Sequence, residues 1–186
     1  MTGRDSLVCL PLDRVAELCE ALPRTREFAQ AMSALEGARR DLLGDGLLTV
    51  NVRTDRLPGS PVDEASESGA ELQRIWSSNI DAYPVAGRKR KSWTPWALQL
   101  LGRAEVFVGE GTDALKQAFS DHALIASLGL RSIVNVPLLD DRGDCFATFN
   151  VLSHRDKWEP RDVIAIRLLA LLATPAVARE ASTLAT

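Results

Sequence analysis

The chain has 186 residues, 46% of them hydrophobic and 25% charged, which suits a soluble protein with one buried core better than two small domains. A formal net charge of −3 speaks against a general nucleic-acid binder, which carries a basic surplus. No run approaches the ~20 apolar residues of a membrane span, and the N-terminus lacks the long apolar stretch of a secretory signal, so a cytoplasmic protein is expected.

Residues 12–22 place Leu12, Val15, Leu18, Cys19 and Leu22 on one helical face, which Pro23 interrupts. Residues 1–23 therefore read as an N-terminal helical extension. A second helix over 24–43 carries Phe28, Met32, Leu35, Leu42 and Leu43 on one side and stops at Gly44 and Gly46. The period then changes to two, with Leu48, Val50 and Val52 alternating against Thr49, Asn51 and Arg53 in a strand over 47–53. Residues 55–69 concentrate Pro, Gly, Ser and acid and form a loop. A second strand over 70–78 puts Leu72, Arg74, Trp76 and Ser78 on one face. The segment 79–93 has no period and reads as a long loop, a kind that is often functional in compact domains.

Thr94 as N-cap and Pro95 at the first helical position start a helix that ends near Gly102. A short strand comes next at 105–108, then helices at 112–119 and 121–128, the second stopped by Gly129. Strands at 131–138 and 145–153 are joined by a hairpin turn over Asp140, Asp141, Arg142 and Gly143. The last helix starts at Pro160, with Trp158 as a hydrophobic staple. It runs to about 173 and is expected to continue past Pro175 with a kink, and residues 179–186 read as a tail. The order α-α-β-β-α-β-α-α-β-β-α, with short hairpins, implies an α+β sandwich around a mostly antiparallel sheet.

The two sheet faces differ in kind. Leu48, Val50, Val52, Val134, Val136, Phe149 and Val151 form an aliphatic face for the terminal helices. Thr49, Asn51, Arg53, Asn135, Thr148 and Asn150 form a polar one, with Phe146 and Leu152 beside them. Solvent could wet that polar face, as antiparallel sheets allow. However, the mid-chain helices carry Trp96, Leu98, Leu100, Leu101, Leu115, Phe119, Leu124, Ile125 and Leu128, which also need something to cover. If they cover the polar face, its amides are shut from water and must bond one another, ordered water or a ligand. The outcome is a pocket with apolar walls and a few converging polar groups.

Cys9, Cys19 and Cys145 are odd in number and widely spaced, and only His122 and His154 accompany them, so neither a disulfide framework nor a metal centre is indicated. No catalytic set is apparent, and no particular cofactor can be named.

The segments AYPVAGRK at 82–89 and SDHALIASLG at 120–129, together with the strand-to-helix ending around 145–163, resemble the GAF domain family, most closely its stand-alone bacterial members. The resemblance covers about residues 24–175, and residues 24–178 are taken as the ligand-binding domain. It implies a six-stranded antiparallel sheet between two helical layers. It also implies homodimers through the terminal helices and small ligands such as cyclic nucleotides, tetrapyrroles or metabolites. No cysteine lies between Cys19 and Cys145 to attach a bilin, and the NKFDE-type set of cyclic-nucleotide GAF domains is not found. Any signalling output is expected on a separate chain.

The candidate ligand-binding residues are Trp76, Ser78, Tyr83, Arg88, Trp93, Trp96, Asp121, His122, Asn135, Thr148 and Asn150. Tyr83 either stacks on a ligand or packs its loop; Arg88 begins a basic run suited to clamping an anion or to solvation. Asp121 and His122 open a helix, where the alternatives are capping and the edge of a pocket. The expected ligand is a small anionic or aromatic metabolite held between the sheet and residues 79–128. A GAF-scaffold enzyme and a purely structural dimerisation module, whose sheet face would be filled by its own side chains, are the alternatives.

Overall fold

The computed structural model describes residues 12–57 and 69–184; Cys9 and most of the loop expected over 55–69 lie outside the described residues. Six strands form one antiparallel sheet: β1 (Gly46–Arg53), β2 (Ala70–Ser77), β3 (Arg88–Lys91), β4 (Phe107–Glu110), β5 (Ser132–Leu139) and β6 (Cys145–Ser153), in the order β3-β2-β1-β6-β5-β4. The alternation of β1, β5 and β6 translates directly into two faces, because successive side chains of a strand point to opposite sides.

Helices α1 (Leu12–Ala21), α2 (Phe28–Leu43) and α6 (Pro160–Thr183) cover the aliphatic face. Leu18, Met32, Leu35, Ile166, Leu169 and Val177 meet Leu48, Val50, Val52, Val134, Phe149 and Val151 there in one core. Leu18 of α1 and Leu22 belong to that core, so the described part of the segment expected as an extension is packed against the domain. At the start of α6 the capping box is complete: the Glu159 side chain accepts from the N3 backbone, and Asp162 accepts from the Glu159 amide at 3.1 Å. Pro175 does not end α6. The helix runs on to Thr183, so the tail expected at 179 begins as its last turn, with Ala181 buried.

The opposite face is roofed by the mid-chain segment: α3 (Pro95–Ala97) with the π-helical turn Leu98–Gly102, then α4 (Gly111–Ala118) and α5 (His122–Ser127). Trp96, Leu100, Leu101, Leu115, Phe119 and Ile125 form a second core with Leu47, Leu72, Ile133 and Leu152. Two elements differ from expectation. The segment 79–93 is not all loop, since 88–91 pairs with β2 as an edge strand. The short strand expected at 105–108 pairs instead over Phe107–Glu110.

A bulge in β2 decides which of its side chains face each helical layer. Val50 is opposite Trp76 and Asn51 is opposite Arg74, leaving Ile75 as an extra residue between them. One inserted residue reverses the faces beyond it. Leu72 and Arg74 therefore look toward the mid-chain helices, while Trp76 looks toward the terminal ones.

Candidate functional site

Between the sheet and the mid-chain segment lies a cavity of about 210 Å³. Its floor is the polar stripe. Asn135 and Asn150 are 1% and 4% exposed, so their amides are shut away from bulk water. They form a chain with the roof: the Trp96 indole N–H donates to Asn135 Oδ1 at 2.9 Å, and Asn135 Nδ2 donates to Asn150 Oδ1 at 2.7 Å. Asn150 Nδ2 then donates to Thr148 Oγ1 at 3.1 Å and to the Thr49 carbonyl at 3.2 Å, and Asn51 Nδ2 reaches Thr148 Oγ1 at 3.4 Å. The floor amides thus satisfy one another, as buried polar groups must. They position the site without themselves needing a ligand.

The unsatisfied groups are on the walls. Arg74 lies with its guanidinium carbon 4.7 Å from the Tyr83 ring centroid and donates Nη1 to the Pro84 carbonyl at 3.1 Å, while its Nε is buried without a partner. The Tyr83 hydroxyl is also buried; it makes no close hydrogen bond but interacts with the Asp121 carboxylate. Strand β3 alternates as a strand should: Lys89 and Lys91 line the cavity, while Arg88 reaches the Gln73 side chain at 3.1 Å and Glu71 at 3.6 Å. Asp121 adds one carboxylate from the start of α5, and Leu72, Phe119, Leu124, Ile125, Ile133 and Leu152 supply apolar wall.

These charges act on one another. Burial lowers the Lys91 ammonium below the ordinary lysine range; Asp121 pulls it back up, and Lys89 and Arg74 push it further down. Burial also lowers Arg74, and burial, then the Asp121 charge, holds the Tyr83 phenol protonated above its usual range. Two half-buried cations, Arg74 and Lys91, with depressed pKa values make an environment that a small anion would relieve.

Five of the candidate residues line this cavity: Tyr83, Trp96, Asp121, Asn135 and Asn150. Thr148 stands behind the floor as the acceptor of two amides. The rest are placed elsewhere. The bulge turns Trp76 away, to pack edge-on against Phe28 at 6.4 Å. Ser78 closes the β1–β2 pair by accepting from the Leu48 amide through Oγ at 3.0 Å. Arg88 faces outward on β3, and Trp93 packs beside Arg53, 6.0 Å from ring centroid to guanidinium carbon. His122 lies with Nδ1 3.0 Å from the Phe119 carbonyl, turned back on its own loop. Sequence reasoning weighed the basic run from Arg88 to Lys91 as an anion clamp but named only Arg88 from it, and it missed Arg74 as a wall residue. The signal for the lysines was alternation within a charge run, which is invisible until that run is known to be a strand.

Cys145 and Cys19 stand apart from the cavity. Cys145 is buried at the start of β6 with its thiol pushed up to about 12, mainly by burial, and Cys19 is exposed on α1. Among the described residues no group of three or more His, Cys, Asp or Glu could hold a metal ion, and no helix is long and apolar enough to cross a membrane.

No protein-family profile and no curated protein matches the sequence. Solved structures do match the fold. The GAF domain of a phosphoenolpyruvate-protein phosphotransferase from Coxiella burnetii superposes with a TM-score of 0.67 at 10% identity, covering 94% of this chain and 96% of that one. A methyl-accepting chemotaxis protein fragment gives 0.59 at 16% identity, over 90% and 97%. The free methionine-R-sulfoxide reductase of Neisseria meningitidis, solved with its substrate, gives 0.58 at 14% identity, over 100% and 98%.

Proposed function

Because the chain folds as a GAF domain, we propose that it is a small-molecule-binding sensory or accessory domain whose cavity takes a small metabolite with an anionic group. The observation that carries this reading is the wall of Arg74, Lys89 and Lys91 over a self-satisfied amide floor, with the buried Nε of Arg74 left without a partner. The size agrees: about 210 Å³ is below the ~300–1,000 Å³ of drug-sized sites, so a small metabolite fits better than a tetrapyrrole. The structural neighbours include a chemotaxis protein and two-component sensor kinases, proteins of signalling, which supports a like sensory role here. The purely structural alternative expects a filled sheet face, which the cavity opposes. A thiol-based reaction at this site is disfavoured because neither described cysteine lines it.

The test is a thermal-shift screen of small carboxylates, amino acids and phosphates. A ligand at a hundred times its Kd stabilises by about 2.7 kcal/mol, which raises Tm by about 5–10 °C in a domain this size. Arg74→Met should remove that rise. If no compound shifts Tm and crystals grown with them hold only water in the cavity, the binding role is wrong.

A further inference from the structure

The cavity is not simply basic. Asp121 is the N-cap of α5, where an aspartate ordinarily accepts from the first free amides, yet its side chain makes no capping bond. Among the described residues it forms no salt bridge either, although it lies near enough to Arg74 and Lys91 to influence both. It stands at the cavity wall beside the Tyr83 hydroxyl, with which it interacts directly. A ligand carrying only negative charge would meet this carboxylate as a repulsive group. One carrying only positive charge would meet three cations. A molecule bearing both charges a few ångströms apart satisfies both walls at once.

We propose that the cavity is a site for a free α-amino acid. This deepens the small-anion reading and rests on it. The ligand carboxylate meets Arg74 and Lys91, with Lys89 at the rim, and the ammonium meets Asp121, with the Tyr83 oxygen as a second acceptor. The side chain lies against Leu124, Ile125, Ile133 and Leu152, the apolar part of the same wall. Carboxylate and ammonium share one carbon in an α-amino acid, so the pairing of opposite charges within one small cavity is itself the specificity element. An analogue without the ammonium leaves Asp121 facing a bound carboxylate with nothing between them.

The experiment is calorimetric titration of the intact chain with matched pairs that differ only at the ammonium: L-alanine against L-lactate, L-leucine against L-α-hydroxyisocaproate, and L-aspartate against L-malate, with inorganic phosphate as a further anion. The expected result is that at least one amino acid binds at least about tenfold more tightly than its hydroxy analogue, the worth of one charge-assisted contact. Asp121→Asn should cost that amino acid about tenfold or more while leaving the hydroxy acid equal or tighter, a crossing that simple loss of folding cannot produce. Equal binding of hydroxy acids or phosphate, with Asp121→Asn indifferent, overturns the amino-acid assignment and leaves the small-anion site standing. Absence of any binding to the folded protein overturns both.

Discussion

Lys91 shows how a single side chain records the electrostatic cost of this cavity. Its pKa in the folded protein lies below the ordinary 10.5, chiefly through burial. Between that depressed value and 10.5 the unfolded chain binds the extra proton, so this residue's contribution to stability rises with pH there, and at neutral pH its buried charge is a burden. Cys145 works the other way above its ordinary 9.0, since its thiol is raised to about 12, and Tyr83 does so above 10.0. Isolating Lys91 therefore takes a difference between parent and variant. Lys91→Met should be more stable than the parent in urea at neutral pH, and its advantage should shrink steadily as pH rises toward 10. An advantage independent of pH would show that Lys91 is as well solvated folded as unfolded. Bound carboxylate would hold Lys91 charged, so the same series with ligand present should flatten.

At the scale of elements, the placement of the cations depends on β3 being held to β2, and Gly69 is where that pairing begins. Its φ of +149° suits glycine, and a Cβ there would lie 2.1 Å from the Lys91 carbonyl oxygen. Gly69→Ala should cost about 1–3 kcal/mol in denaturant unfolding, the usual range for forced overpacking. It should also diminish the thermal shift given by small anions, because Lys89 and Lys91 move with the strand. Unchanged stability and unchanged ligand response would mean that the strand finds its register by other contacts. How much of this was legible in sequence differs by strand. In β1, and in β5 and β6 away from the turn that joins them, the alternation holds, and both the two faces and the buried Asn135–Asn150 pair come directly from it; at the start of β6 a bulge leaves Phe146 as an extra residue and turns it to the aliphatic side. In β2 the same rule misplaces Trp76 and Ser78, because the extra Ile75 resets the period and no turn residue announces it. β3 escaped notice because four cations carry no apolar alternation, the usual mark of a half-buried strand. The position of Asp121 was readable as a helix start, but whether its carboxylate would cap or face inward depends on tertiary packing.

For the whole molecule, the outer face of α6 is the surface that bears on assembly. Ile164, Leu168 and Leu171 recur along one side of the helix and, with Leu139, line a shallow apolar groove, and Leu171 is 67% exposed. Single exposed aliphatics are ordinary; a row beside a groove is the pattern of an association surface. We propose that this face joins two copies of the chain, as the GAF resemblance implied for the terminal helices. Light scattering behind size exclusion at tens of micromolar should give a dimer mass, and Leu171→Glu should return it to a monomer without loss of secondary structure. A monomeric parent protein under those conditions would rule the arrangement out.

The four-residue strand β3 also forms the outer border of the sheet. A border strand offers a row of free amides and carbonyls to which a passing chain can add itself, and proteins guard against that with brevity and charge. Arg88 and Arg90, both exposed and alternating with the two lysines that line the cavity, supply the guard. One short basic run thus shields the protein from edge-to-edge aggregation through its arginines and furnishes the binding wall through its lysines. Replacing the arginines with neutral residues would therefore threaten solubility first, while the recognition chemistry stayed in place.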